Sequence, residues 1–122
     1  METPYKGKTG LRRILNATRY SLAGIAAAAR YEEAFRQELV VVAVLVPVGW
    51  ILGANGIGRA LLIGSLLLVL IVELINAAVE AAVDRVSLDH HDLAKRAKDL
   101  GSAAVMLAIA SASAIWALVL LD

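Results

Sequence analysis

Glu73, Asn76, Glu80 and Asp84 are the residues in this chain most able to do chemistry. At about 100° per residue, Asn76, Glu80 and Asp84 fall near −60°, −20° and +20° from Glu73 on a helix. One narrow stripe therefore carries three carboxylates and an amide, directly after the uncharged run from Ala60 to Val72. A carboxylate in a lipid-buried segment costs at least about 2.5 kcal/mol, so it calls for a functional or pairing explanation. Burial makes a carboxylate a stronger base, which suits the deeper acid, Glu73, to take a proton from a hydroxyl. Glu80 and Asp84, nearer the end of the run, suit a metal or phosphate, since Mg²⁺ takes oxygen ligands and keeps several waters. Glu73 and Glu80 stand about 10 Å apart along the axis, too far to share one metal on their own helix. The structural alternative is that these acids pair with Arg or Lys on neighbouring helices and only hold a bundle together.

Two further constellations could complete such a site. Glu32-Glu33-Ala34-Phe35-Arg36-Gln37-Glu38 precedes the first apolar run, where Glu32 or Glu38 could add a carboxylate to a metal site. Taken alone it reads as a charged interfacial collar, with Phe35 at the headgroup level. Lys95-Arg96-Ala97-Lys98-Asp99 opens the last apolar run. Lys98 offers a cation for phosphate and Asp99 a ligand for metal, and the same residues would equally serve as a basic anchor. Asp89-His90-His91-Asp92 reads as a solvated polar loop. There is no glycine-rich phosphate loop ending in Lys-Ser or Lys-Thr, no protein-kinase signature set and no nucleophile elbow.

These groups must be positioned by membrane helices. The 122 residues suffice for one unit, residues 1–122, and are 60% hydrophobic with a mean hydropathy of +0.73. Three nearly uncharged runs, 39–58, 60–83 and 101–121, each have about the twenty residues that cross a hydrocarbon core of about 30 Å. Spans are expected at about residues 34–54, 59–84 and 99–121. Asn55, Gly56 and Gly58 are expected to turn the chain between the first two, and 85–98 to form the next loop. Pro47 is tolerable inside a membrane helix. Before them, Leu11, Ile14, Leu15, Thr18, Leu22, Ile25 and Ala29 follow helical spacing. They predict an amphipathic surface helix over about 11–30, with Gly7 and Gly10 in a loose tail. The fold class is therefore an all-α membrane protein.

Charge sets the orientation. Of the twelve basic residues only Arg59 lies between the first two spans; the others precede the first span or fall between the second and third. The positive-inside rule then puts the N-terminus and the 85–98 loop in the cytoplasm and the C-terminus outside. A net charge of +1 points to no nucleic-acid partner, and the absence of cysteine excludes thiolate metal sites and thiol catalysis. The polar, basic Met1–Gly10 stretch is unlike a signal peptide. Small residues from Gly101 to Ser113 suit close helix packing, and three spans with three acids to shield predict oligomerisation. The residues alone leave open chemistry on a lipid headgroup or ion-coupled transport.

The run Glu73-x-Ile75-Asn76-x-Ala78-Val79-Glu80-x-x-Val83-Asp84 resembles the signature of the prokaryotic integral-membrane diacylglycerol kinases. Glu32-x-Ala34-Phe35-Arg36-Gln37-Glu38 and Ala97-Lys98-Asp99-x-Gly101-Ser102-Ala103-Ala104-Val105 are similar to the family's other two blocks. The similarity extends in order from about Thr9 to Leu121. It implies a homotrimeric helical bundle in the bacterial inner membrane, with active sites shared between subunits near the cytoplasmic face. It implies transfer of the ATP γ-phosphate to the hydroxyl of diacylglycerol, giving phosphatidic acid, with Mg²⁺. Carried onto this chain, Glu73 becomes the general base and Glu32 and Glu80 the metal ligands. Arg13, Tyr20, Glu32, Glu80, Lys98 and Asp99 become nucleotide-side groups, and Glu38, Asn76, Asp84 and Ser102 substrate-binding or supporting ones. One departure is Ala77, where the family pattern has serine or threonine. Within the same class, the acceptor could instead be a polyprenol such as undecaprenol. From another class, a small proton-coupled transporter would need four spans with an acid in the first. A purely structural subunit would tolerate Glu73→Gln.

Overall fold

A computed structural model describes residues 9–86 and 92–122. The expectations for Lys6, Gly7, Lys8, Asp89, His90 and His91 fall outside the described residues. Four helices follow in order: α1 (Gly10–Tyr31), α2 (Glu33–Leu52), α3 (Gly56–Val86) and α4 (Asp92–Leu120). The last three are long and apolar enough to cross a membrane. The protein is thus an all-helical, multi-pass membrane protein. Gly10, placed in a loose tail by the sequence, instead opens α1 at a φ of +60° that glycine adopts without strain.

The helix ends differ from the expected spans for identifiable reasons. The Asn55 side-chain oxygen accepts the Gly58 N–H at 2.8 Å, and the Asn55 carbonyl accepts the Arg59 N–H at 3.0 Å. Asn55 thereby caps α3 and draws Gly56 and Gly58 into its first turn, so the connection shrinks to residues 53–55. Arg59 closes the other side of this turn. Its Nε donates to the Trp50 carbonyl at 2.9 Å and its guanidinium stacks 4.7 Å from the Trp50 ring. The loop expected over 85–98 is helical at both ends: α3 continues to Val86 and α4 begins at Asp92. Lys95, Lys98 and Asp99 therefore stand on helical turns, at fixed angles to one another.

Glu32 is the single residue between α1 and α2, with an extended backbone (φ −108°, ψ 107°). Arg36 holds this corner. Its guanidinium donates to the Ala29 and Arg30 carbonyls at 3.2 and 2.9 Å, satisfying acceptors that the end of α1 leaves open. Phe35, in the first turn of α2, is one of the most buried side chains, at 2% exposure. The corner turns the start of α2 inward, so an aromatic ring there fills the helix junction.

The core is built around α3, which packs against α4 and α2, while α1 lies across α2 and α3. Val69, Ala108 and Ala112 form its centre with Val72 alongside, and Leu62, Leu66 and Val42 extend it. Alanines on α4 let the two backbones approach, as close packing in lipid requires. Near the 53–55 turn, Trp116 Nε1 donates to the Leu62 carbonyl at 3.1 Å. Gly49 completes the contact, since a Cβ there would stand 3.3 Å from both Leu62 and Trp116. Much apolar surface on α2 and α4 remains exposed in the single chain, including Val40, Val44, Ile109 and Leu118.

Candidate active site

Helix α3 has 31 residues, about 46 Å at about 1.5 Å per residue, against a hydrocarbon core of about 30 Å. Measured from Gly56, about twenty residues reach Ile75. A span of that length counted from Gly56 would end with Glu73 in its last turn and Glu80 and Asp84 beyond it. Helix α4 runs the opposite way, and its last twenty residues begin at Gly101. Lys95, Lys98 and Asp99 thus share the level of Glu80 and Asp84.

The structure brings much of the expected site together. Glu73 is buried at 7% exposure, the only buried charged side chain among the described residues. Glu80 and Glu32 are the charges that repel its carboxylate most strongly, and Glu73 in turn bears on Glu38. Acids from α2, α3 and the α1–α2 corner thus feel one another's charge, and Lys98 bears on Glu80 from α4. The Asn76 amide stands between two of the acids. Its Nδ2 donates to Glu80 Oε1 at 3.2 Å, and the same amide acts on the Glu73 carboxylate. Two buried oxygens in this region have no hydrogen-bond partner, Glu38 Oε2 and Asn76 Oδ1. Leaving a buried acceptor unpaired costs about 1–3 kcal/mol, so two at one place mark a site built for something besides stability.

Other expected residues are engaged elsewhere. Lys98 Nζ meets Asp84 Oδ1 at 2.6 Å, an ion pair that ties α4 to the end of α3. Asp99 pairs with Lys95 one turn back on α4, also at 2.6 Å. The pairing alternative is met at Asp84, and Lys98 also bears on Glu80. Ser102 is exposed on α4, and Arg13 and Tyr20 are exposed on α1. Among the described residues no three acids or histidines are close enough to form an all-protein metal cage.

Two grooves flank the cluster. One, of about 540 Å³, runs between α1 and α3, lined by Ser21, Gly24, Ala28, Glu32, Leu74 and Ala77. The other, of about 550 Å³, lies between α2 and α4 over α3, with apolar walls that include Val41, Leu45, Leu66 and Ile109. Glu38 is the only ionisable residue on its lining. Sequence patterns point to Glu38 as a site residue, whereas Arg36 appears in the same block without a role. Gly101 reads in the sequence as a small residue and as part of the block Ala97–Val105, and neither signals that a Cβ there would strike the Asn76 amide.

The profile of the prokaryotic diacylglycerol kinase family matches residues 19–120. The chain belongs to this family. It is 56% identical over 119 residues to the diacylglycerol kinase of Pseudomonas aeruginosa, covering 98% of this chain and 97% of that protein. It is 48% identical over 112 residues to the diacylglycerol kinase of Escherichia coli K12, covering 92% of each. A more distant relative, the diacylglycerol kinase of Helicobacter pylori 26695, is 37% identical over 115 residues.

Proposed function

We propose that this protein is a lipid kinase that transfers the γ-phosphoryl group of Mg-ATP to the free hydroxyl of diacylglycerol, giving phosphatidic acid. The observation that carries the proposal is membership in the prokaryotic diacylglycerol kinase family, matched over residues 19–120. The depth of Glu73 supports it: a lipid hydroxyl arrives from the hydrocarbon side, and the deepest acid is the one placed to receive its proton. Glu73 takes that proton as the hydroxyl oxygen attacks the γ-phosphorus in line. The bond from phosphorus to the β–γ bridging oxygen breaks, and ADP leaves with the electron pair.

Phosphoryl transfer needs charge neutralisation and positioning more than covalent help from protein. Mg²⁺, when bound with the nucleotide, supplies neutralisation of the polyphosphate. Glu32 and Glu80 are the residues that would hold it. Both are oxygen donors whose charges converge on Glu73, and an ion kept largely by phosphates and water needs only one or two carboxylates. Asn76 holds Glu80 in register with Glu73. Lys98 and Asp99, with Arg13 and Tyr20 from α1, form the nucleotide side, and Asp84 keeps Lys98 at the site's rim. Glu38 and Ser102 support the acceptor. The groove between α2 and α4 suits that acceptor, because its walls are apolar and its one carboxylate feels the charge of Glu73.

The same proposal places the protein in the bacterial inner membrane as a homotrimer with sites shared between subunits. Exposed Leu11, Ile14, Leu15 and Leu22 on α1 suit a helix lying on the membrane surface. The bias of basic residues puts the N-terminus and the acidic end of α3 in the cytoplasm, where ATP is.

The test is transfer of labelled γ-phosphate from Mg-ATP by purified protein in mixed micelles containing diacylglycerol or, separately, undecaprenol. Label in phosphatidic acid is the expected result. Label confined to the polyprenol would keep the site and change the acceptor. Label in neither lipid, from folded oligomeric protein, would overturn the kinase proposal.

A further inference from the structure

We infer that Gly101 is a positioning residue for the acidic site: its missing side chain leaves the space in which the Asn76 amide is held between Glu73 and Glu80. The inference rests on the kinase reading for its effect on turnover, and on geometry alone for the contact. Glycine weakens a helix interior relative to alanine, so its presence in α4 needs a cause. Backbone conformation is not the cause. Among the described residues only Gly10 has a positive φ. Space is the cause: a Cβ on Gly101 would run into Asn76 Oδ1 and stand 3.2 Å from Asn76 Cγ. By contrast, a Cβ at Gly24 or Gly64, also inside helices, would meet nothing within 4 Å.

The geometry also says what alanine would do there. The added Cβ would lie 3.9 Å from Asn76 Cβ, an ordinary contact, so α3 and α4 need not separate. The amide must turn instead. Turning it breaks the 3.2 Å bond from Asn76 Nδ2 to Glu80 and withdraws the amide from Glu73. Glu80, repelled by Glu73 and no longer tethered, then swings away from the place where it would meet a Mg-polyphosphate. Asn76 Oδ1 is already buried without a donor on this side, so the amide is held there by shape rather than by a bond of its own.

The chain contains three asparagines, Asn16, Asn55 and Asn76, so side-chain ¹⁵N labelling of asparagine gives three NH₂ groups to follow in detergent micelles. Gly101→Ala is expected to shift the Asn76 NH₂ signals and leave those of Asn16 and Asn55 in place. In the lipid-kinase assay it should lower kcat by about tenfold or more, the scale of losing a hydrogen bond to a charged group. It should also raise the Mg²⁺ concentration needed for half-maximal rate, with no loss of thermal stability. Added to Asn76→Ala, the same substitution should cost little more, because the amide it displaces is already gone. Unmoved Asn76 signals would overturn the inference, as would an undiminished loss in the Asn76→Ala background. A wild-type protein that phosphorylates no lipid would instead overturn the kinase reading, while the NMR arm would still decide the Gly101–Asn76 contact.

Discussion

The two ends of the helix bundle use their polar groups differently. At the turn over residues 53–55, Asn55 caps α3, Arg59 closes on the Trp50 carbonyl and ring, and Trp116 ties α4 to the Leu62 carbonyl. Asn55 and Arg59 satisfy backbone groups that the helix ends leave open, and Trp116 finds an acceptor for its indole N–H. At the far end, Glu73 is buried among the charges of Glu32, Glu38 and Glu80, and the unpartnered oxygens of Glu38 and Asn76 lie close by. One end is assembled to lower its own free energy. The other keeps repulsion and unpaired acceptors that a bound cation or a donating hydroxyl would relieve. Substitutions at the two ends should therefore fail in opposite ways: loss of turnover with the fold intact, against loss of stability with turnover intact.

Glu73→Gln carries the largest expected effect. It removes the base but keeps the size of the side chain, and it lifts the repulsion on Glu32, Glu38 and Glu80. Turnover should fall by about a hundredfold or more, the usual contribution of a general base, while nucleotide binding remains and thermal stability does not drop. Turnover within about tenfold of wild type would remove Glu73 from that role. Next, a Glu32→Ala subunit mixed with a Glu73→Gln subunit should regain activity that neither has alone, since shared sites allow some pairings to be complete. Well-formed mixed oligomers with no recovered activity would place both residues in a site within one chain. Glu80→Gln should act more narrowly, moving the Mg²⁺ titration to higher concentration and lowering the maximal rate less than Glu73→Gln does. An unchanged titration would take Glu80 out of the ligand set.

Periodicity made the acidic end legible and left the other end obscure. A stripe at positions 73, 76, 80 and 84 is a property of one helix, so spacing alone could find it. The partners of Asp84 and Asp99 depend on where α4 crosses α3, which no local pattern contains. Lys98 therefore reads as a neighbour of Asp99, although it bonds to Asp84. The burial of Phe35 is hidden for a similar reason: its neighbours in sequence are charged, and the ring packs inside the corner at Glu32. Gly56 and Gly58 carry turn composition, yet one Asn55 side chain is enough to make them helical. Gly101 was legible as small and not as necessary, because its role lies in the side chain it faces on another helix.

Asn55→Ala tests the stable end and carries the smallest expected effect. Losing an N-cap costs about 1 kcal/mol, which should appear as a lower unfolding temperature in detergent. The capped turn lies at the opposite end of α3 from Glu73, about 26 Å away at about 1.5 Å per residue. Neither Asn55 nor its partner Gly58 touches an acid of the site. Turnover per folded molecule should therefore match wild type, and Asn55→Asp, which can still accept the Gly58 N–H, should recover most of the stability. A variant that loses turnover in step with stability would show that strain at the turn reaches the acidic stripe along α3. The contrast between the two ends would then describe one coupled helix, with the cap at residue 55 helping to set the depth of Glu73.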